Sequence, residues 1–317
     1  MYRADLTPNQ IDALESILGH VLSIDELAHY NSEHSDEYGY FLLPDKAQIG
    51  GRHLLLLYSA CWSRGIWHYL AHYRPDVVER YYPVIILDFA LVLSVIRDKR
   101  FPVPLFVEAA WRKADAVLFT PIGESYGPFS SEHLLRMVKP DCKTVAFTGP
   151  NQGCWWPVCE LVGEHGAINL FNEGLNPDQV IDRFRDKKFD PKFDLRFAEQ
   201  MAFLKGKQSF GSIRLTEFIQ AHYRTHKLFF TFNHPTYNVL AFCADCALAL
   251  MGMIPMGDEH SLSLPLDSIS LGDIYPETHY EFEHYNLRYP MRYTAGSEAF
   301  YERKIHEAYA RWKSNSA

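Results

Sequence analysis

The chain of 317 residues carries 31 Lys and Arg against 39 Asp and Glu, a formal net charge of −8, and 47% of it is hydrophobic. That balance gives no general electrostatic reason to bind nucleic acid or an anionic membrane surface, although the length allows a large core. No apolar run reaches the roughly 18 to 20 residues of a membrane span, and the opening MYRADLTPNQ lacks a signal peptide's apolar stretch, so a cytoplasmic protein is expected.

In chain order, residues 1–50 differ from the rest. Thr7-Pro8-Asn9-Gln10 opens a helical IDALESILGHVL, and the polar NSEHSDEYG follows as a loop, so this part reads as an N-terminal helical arm. Residues 51–317 read as one α/β catalytic domain. Short apolar runs mark strands at His53 to Tyr58, Val84 to Leu87, Ala116 to Phe119, Thr144 to Phe147 and Leu228 to Thr231. Between them, Ser63 to Tyr73, Leu105 to Lys113 and Ser131 to Val138 have helical spacing, the last with Ser130 as N-cap. Such alternation predicts a mainly parallel central sheet flanked by helices. Beyond Phe171 the chain turns mainly helical, with Asn176 as a cap and Pro177 at the first helical position. The stretch from Pro265 to Tyr293 is aromatic and irregular, suited to covering a core edge or lining a sugar site. A charged helix from about Ser297 to Lys313 completes the helical C-terminal part.

Six cysteines are too few for a disulfide scaffold in a chain this long. Cys243 and Cys246 form a C-x-x-C inside an apolar helical run, where packing is the better reading than zinc. Cys154 and Cys159 lack a second tight pair at zinc spacing, and Cys142 has no visible partner. His68 and His72 stand at i, i+4 without the glutamate of a metallohydrolase motif, so no metal is assigned.

Cys61 sits where a strand yields to a helix. In a parallel α/β sheet that junction opens on the crevice where ligands collect, and the helix N-terminus lowers a thiol's pKa. The Trp62 and Ser63 N–H groups are available there to an oxyanion. The competing reading makes Cys61 a small residue buried at a tight turn. A nucleophilic cysteine needs a base, and His234, in LFFTFNHPTYNVL, occupies another strand-to-helix junction, expected on the same sheet edge and held by Pro235. A capping or core histidine is the alternative. Asp245, 11 residues further along one helix, lies about 16 Å away and cannot orient that imidazole. Neighbouring Asn233 points to the opposite face of an extended strand.

The series LLLLYSACWSRGI, ADAVLFTPIGESYGPFSSEHLLRMV, KTVAFTGPNQGCWWP and FIQAHYRTHKLFFTFNHPTYNVLAFCADCAL resembles the WcbI family of capsular-polysaccharide biosynthesis enzymes, over about residues 53–255. The family typically runs into Gly-Asn-Cys-Gln where this chain has Ser59-Ala60-Cys61-Trp62, and places Gln before Pro where this chain has Thr120-Pro121. The resemblance implies a coenzyme A-binding O-acetyltransferase, moving an acetyl group from acetyl-coenzyme A to a hydroxyl of a capsule sugar or nucleotide-linked precursor. Cys61 would be the nucleophile and His234 the base, or His234 would act on the acceptor directly with Cys61 lining the site. Coenzyme A phosphates need cations; Arg64 is nearest Cys61, and KGKQSFGSIR supplies Lys205, Lys207 and Arg214 near an expected helix start. No Gly-rich loop supports ATP or NAD. A Cys/His hydrolase of an ester or amide, or a non-catalytic coenzyme A- or sugar-binding protein, carries the same residues, and a homo-oligomer stays open.

Overall fold

The computed structural model describes residues 6–35, 41–44, 49–87, 103–147, 164–186, 188, 193–208, 213–231, 234–265, 279–290 and 297–316. Cys154, Cys159 and Asn233 lie outside them. The chain divides into two compact units, the first comprising residues 1–149, 207–213 and 240–264, the second 150–206, 214–239 and 265–317.

The first unit opens with α1 (Pro8–Leu18) and α2 (Ile24–Ser35). Thr7 opens α1 with a capping box: its side chain accepts from the Gln10 N–H, and the Gln10 side chain accepts from the Thr7 N–H. Leu14 and Ile17 of α1 are buried in the same core as the sheet.

That sheet has the order β1-β3-β2-β4-β5, from β1 (Phe41–Leu42), β2 (His53–Ser59), β3 (Tyr81–Leu87), β4 (Ala116–Phe119) and β5 (Lys143–Ala146). Four strands run parallel, and β1 joins β3 antiparallel. From Leu54 to Tyr58, β2 is buried at every position, as a strand covered on both faces must be. The connections are α3 (Trp62–Tyr73), α4 (Pro75–Arg80), α5 (Val103–Lys113), a 3₁₀ turn (Glu124–Phe129) and α6 (Ser131–Leu135). Ser130 caps α6 by accepting from the His133 N–H. Tyr58, Trp111 and Phe119 meet edge to face, with centroids 5.5 and 5.4 Å apart, in the core beneath α5. The architecture is α/β, as the alternating pattern predicts.

Strand order carries a functional consequence. The chain leaves β2 for β3 on one side, then crosses back to β4 on the other side and continues to β5. Successive connections therefore diverge between β2 and β4, and the carboxyl ends of these two strands flank the topological switch point.

The second unit contains α7 (Glu164–Asn172), α8 (Pro177–Arg185), α9 (Phe193–Gln208, to Gly206), α10 (Leu215–His222), β6 (Phe229–Thr231), β7 (His234–Pro235), the start of α11 (Tyr237–Leu250), α13 (His279–Tyr285) and α14 (Ser297–Ser316). The rest of α11 and α12 (Asp258–Ser263) belong to the first unit. Asn176 and Gln179 form a second capping box, with Pro177 in the first turn of α8. Phe171, Phe184, Tyr301 and Ile305 centre a separate apolar core. Strand β6 pairs with β7 in a two-stranded antiparallel ribbon, so Leu228 to Thr231 does not extend the parallel sheet.

Candidate functional site

The carboxyl end of β2 delivers Ser59, Ala60 and Cys61 to the switch point. Cys61 is half-buried and a thiol. It precedes α3 with helical φ and ψ of −51° and −28°, and its side chain makes no capping hydrogen bond. Helical geometry thus begins one residue earlier than the strand-to-helix boundary suggests. One consequence corrects the expected oxyanion pair: the Ser63 N–H donates to the Ala60 carbonyl at 2.9 Å and the Arg64 N–H to the Cys61 carbonyl at 3.2 Å. The Ser63 amide is already spent on the first turn.

Around the sulfur's end of the sheet, the Ser59 and Thr120 hydroxyls hydrogen-bond to each other, tying the tips of β2 and β4. The Thr120 N–H donates to the Tyr58 carbonyl at 3.1 Å. Trp62 is buried and meets Phe147, just beyond β5, edge to face with centroids 4.5 Å apart. The loop leaving β4 is fixed through Ser131, whose hydroxyl accepts from the Ile122 N–H at 2.8 Å. Trp62 and Thr120 thus supply an indole wall and a hydroxyl tie.

Arg64 stands in the first turn of α3, with surface open to solvent but its guanidinium partly desolvated. Burial pulls its guanidinium below the ordinary arginine value, and charge attraction from the Cys61 sulfur pulls it back up. The structure therefore brings Arg64 and Cys61 into electrostatic reach of each other.

The remaining predicted residues fall elsewhere. His234 is half-buried on β7, opposite Thr231 of the ribbon, and so does not follow a strand of the parallel sheet. Cys61 belongs to the first unit and His234 to the second. Lys205 and Lys207 occupy the last turn of α9, a helix end rather than a start, where a cation is favoured by the carbonyl-rich terminus. Arg214 alone stands at a helix start, as the N-cap of α10. Lys205 and Arg214 are exposed, and among the described residues no carboxylate pairs with either.

Thr236 is a positioning residue that sequence reasoning passed over. Its N–H donates to the Leu228 carbonyl at 2.8 Å, and its buried hydroxyl lies 3.1 Å from the carbonyls of both Lys227 and Leu228. It fastens the base of the ribbon and thereby sets the path of His234-Pro235. A threonine immediately before an apolar helix was the available signal. The buried Lys227 ammonium lies over the Phe230 ring, 5.4 Å from its centroid.

Asp245 is spent elsewhere, in the first unit. It accepts from the Tyr69 hydroxyl at 3.0 Å, from Arg74 at 3.5 Å, and from the N–H groups of Met256 and Gly257 at 2.8 and 3.0 Å. Cys243 is buried and its thiol pushed up by burial; Cys246 is pushed up to about 12 by burial, with Asp258 and Asp245 adding to it. His68 and His72 stack in parallel at 6.3 Å, and among the described residues no group of three potential metal ligands converges.

A family model described as polysaccharide biosynthesis enzyme WcbI matches residues 97–255, which include His234, Lys205, Lys207 and Arg214. A solved structure described as WcbI, a novel polysaccharide biosynthesis enzyme, in a native form without a disulfide bond between coenzyme A and a cysteine, matches with a TM-score of 0.52. The two are 16% identical, over 82% of this chain and 99% of the other, a likeness of fold. No curated protein matches. With half of its length matched by the family model, and with a matching fold, the chain belongs to the WcbI family of polysaccharide biosynthesis enzymes.

Proposed function

We propose that the protein transfers an acetyl group from acetyl-coenzyme A to a hydroxyl of a sugar or nucleotide-sugar in polysaccharide biosynthesis. The observation that carries this reading is Cys61: a half-buried thiol at the switch point, at a helix N-terminus, with Arg64 in electrostatic reach. The related structure's description, a native protein without a disulfide bond between coenzyme A and a cysteine, supports it by naming the coenzyme together with a cysteine.

The chemistry follows from the residues. Cys61, as thiolate, attacks the acyl carbonyl; its new C–S bond replaces the thioester bond, and the departing coenzyme A thiolate takes up a proton. His234 then accepts the proton of the acceptor hydroxyl as that oxygen attacks the Cys61 acyl group, returning the Cys61 thiolate. Coenzyme A, when bound, supplies the activated acyl group and phosphates. Lys205, Lys207 and Arg214 are the candidates to meet those phosphates, as cations do.

Mass spectrometry after mixing the protein with acetyl-coenzyme A tests the reading, followed by addition of sugar and nucleotide-sugar acceptors. A mass gain of one acetyl group on Cys61, discharged by an acceptor, is the expected result. Discharge by water alone, at a rate no acceptor changes, assigns a hydrolase. Absence of both acylation and coenzyme A binding overturns the proposal.

A further inference from the structure

We propose that Arg64 serves the Cys61 sulfur directly, holding it as a thiolate across the first turn of α3, so that Cys61 needs no base to lose its proton. This rests on the reading of Cys61 as nucleophile and changes the part given to Arg64, from phosphate ligand to partner of the sulfur.

The geometry starts from Cys61 being helical already. With φ and ψ of −51° and −28°, and its carbonyl accepting the Arg64 N–H, Cys61 takes its place in the turn as residue i, with Arg64 as i+3 and Gly65 as i+4. On a helix these are the positions whose side chains neighbour that of residue i, with Cβ atoms about 5 to 6 Å apart. Gly65 has no side chain, so of these two positions only Arg64 presents one to Cys61. A residue in the third helical position commonly reaches back to the residue preceding the helix, as in the capping boxes at Thr7 and Asn176. Here the residue in that position is a cation, and the residue preceding the helix is a cysteine. The mutual attraction already noted between the two accords with this placement.

Described groups at this end of the sheet include the paired Ser59 and Thr120 hydroxyls and the Trp62 and Phe147 rings; the nearest described carboxylates after β4, Glu124 and Glu132, interact with each other. The next titratable residue along α3 is His68, two turns on. A guanidinium stays protonated throughout the range in which a thiol titrates, so it favours the thiolate at every relevant pH. The division of labour follows: Arg64 maintains the nucleophile, leaving His234 for the acceptor's proton.

The test is the pH dependence of Cys61 alkylation by iodoacetamide, read by mass spectrometry of the Cys61 peptide. Wild type, Arg64→Gln, Arg64→Lys and His234→Ala are compared, each checked for folding by circular dichroism. Removing the adjacent charge in Arg64→Gln should raise the midpoint by about one pH unit. Arg64→Lys should restore most of the difference, and His234→Ala should match wild type. In wild type alone, raising salt from about 0.05 to 1 M should move the midpoint upward, because the pair is partly exposed and screened. An unchanged midpoint in Arg64→Gln overturns the inference, as does a His234→Ala shift as large as that of Arg64→Gln. If the midpoints behave as expected but acetyl-coenzyme A leaves no acetyl group on Cys61, the covalent route through Cys61 fails and the role of Arg64 in holding the thiolate stands.

Discussion

Tyr69 on α3 donates its hydroxyl hydrogen to Asp245 on α11 over 3.0 Å, although 176 positions separate them in sequence. The same carboxylate takes Arg74 and the two N–H groups that begin the turn into α12, so its acceptor sites are all used within the first unit. This bond ties the helix that starts at Cys61 to a helix far along the chain. Asp245→Ala should cost about 3 kcal/mol in denaturant unfolding, since it strips an acceptor from the buried Tyr69 hydroxyl and Arg74 guanidinium and from two part-buried N–H groups, whereas Tyr69→Phe should cost about 1 kcal/mol. A near-neutral Asp245→Ala would show that the network is not what anchors the start of α12.

The four described cysteines should separate by reactivity. Burial pushes the Cys243 thiol up, Cys246 up to about 12, and Cys142 up to about 11 with Asp115 adding to it. A thiol reacts as thiolate, so at pH 7 these three are protonated and slow. Limited alkylation of the native protein at pH 7 should label Cys61 well before them, by at least about tenfold. Equal labelling of Cys61 and Cys246 would remove the distinction on which the site rests.

Much of the parallel sheet was legible because its strands are short apolar runs between amphipathic helices, and a strand buried on both faces has few other ways to look. The caps at Thr7, Ser130 and Asn176 were legible for a local reason: each is settled by residues within three positions. The position of β6 was not. Phe229–Thr231 has the composition of a buried strand, but its partner is decided by the turn into His234-Pro235 and by the Thr236 hydroxyl, not by its own apolarity. Likewise the spent Ser63 amide depends on the backbone angles of Cys61, which no spacing rule supplies. Lys205 and Lys207 were expected near a helix start, yet α9 continues through Gly206 to Gln208.

At the amino ends of the strands, Asp115 is a stability element with a defined pH range. Burial alone would raise its carboxyl, but the Lys139 ammonium at 2.8 Å, the Leu54 N–H and His53 together carry it below the ordinary value. A depressed carboxylate contributes stability above the unfolded value of about 3.9, and that contribution fades as pH falls through the folded value. Because the pair is partly exposed, the contribution should be about 1 kcal/mol or less. Asp115→Asn should lower stability at pH 7 and flatten its decline below about pH 4, measured by thermal unfolding across pH. An undiminished acid slope would place the relevant carboxylate elsewhere.

Thr236 offers a separation of fold from chemistry in the second unit. Its buried hydroxyl is bonded to backbone carbonyls, so Thr236→Val should cost about 1 to 2 kcal/mol, while Thr236→Ser should cost much less. Any loss of acetyl transfer in Thr236→Val should then be recovered in Thr236→Ser. A Thr236→Val protein of unchanged stability would mean that the ribbon is held by its strand pairing alone.

The last prediction concerns the two residues given chemical roles. Cys61→Ala removes a sulfur but little volume, so folding and coenzyme A binding should persist while acetyl transfer falls by about three orders of magnitude or more. His234→Ala should likewise retain coenzyme A binding and lose transfer, but it should still accumulate acetyl-Cys61, because acylation draws on a thiolate that Arg64 maintains. That asymmetry separates the two half-reactions: one variant cannot be acylated, and the other cannot be efficiently discharged. The double variant should be no slower than Cys61→Ala, since residues serving one covalent route do not contribute independently. Single-turnover acylation and acceptor-dependent discharge, followed by mass spectrometry, read both steps. If Cys61→Ala keeps near-full transfer while His234→Ala loses it, the acceptor attacks the thioester directly with His234 as general base, and Cys61 is a wall of the site rather than its nucleophile.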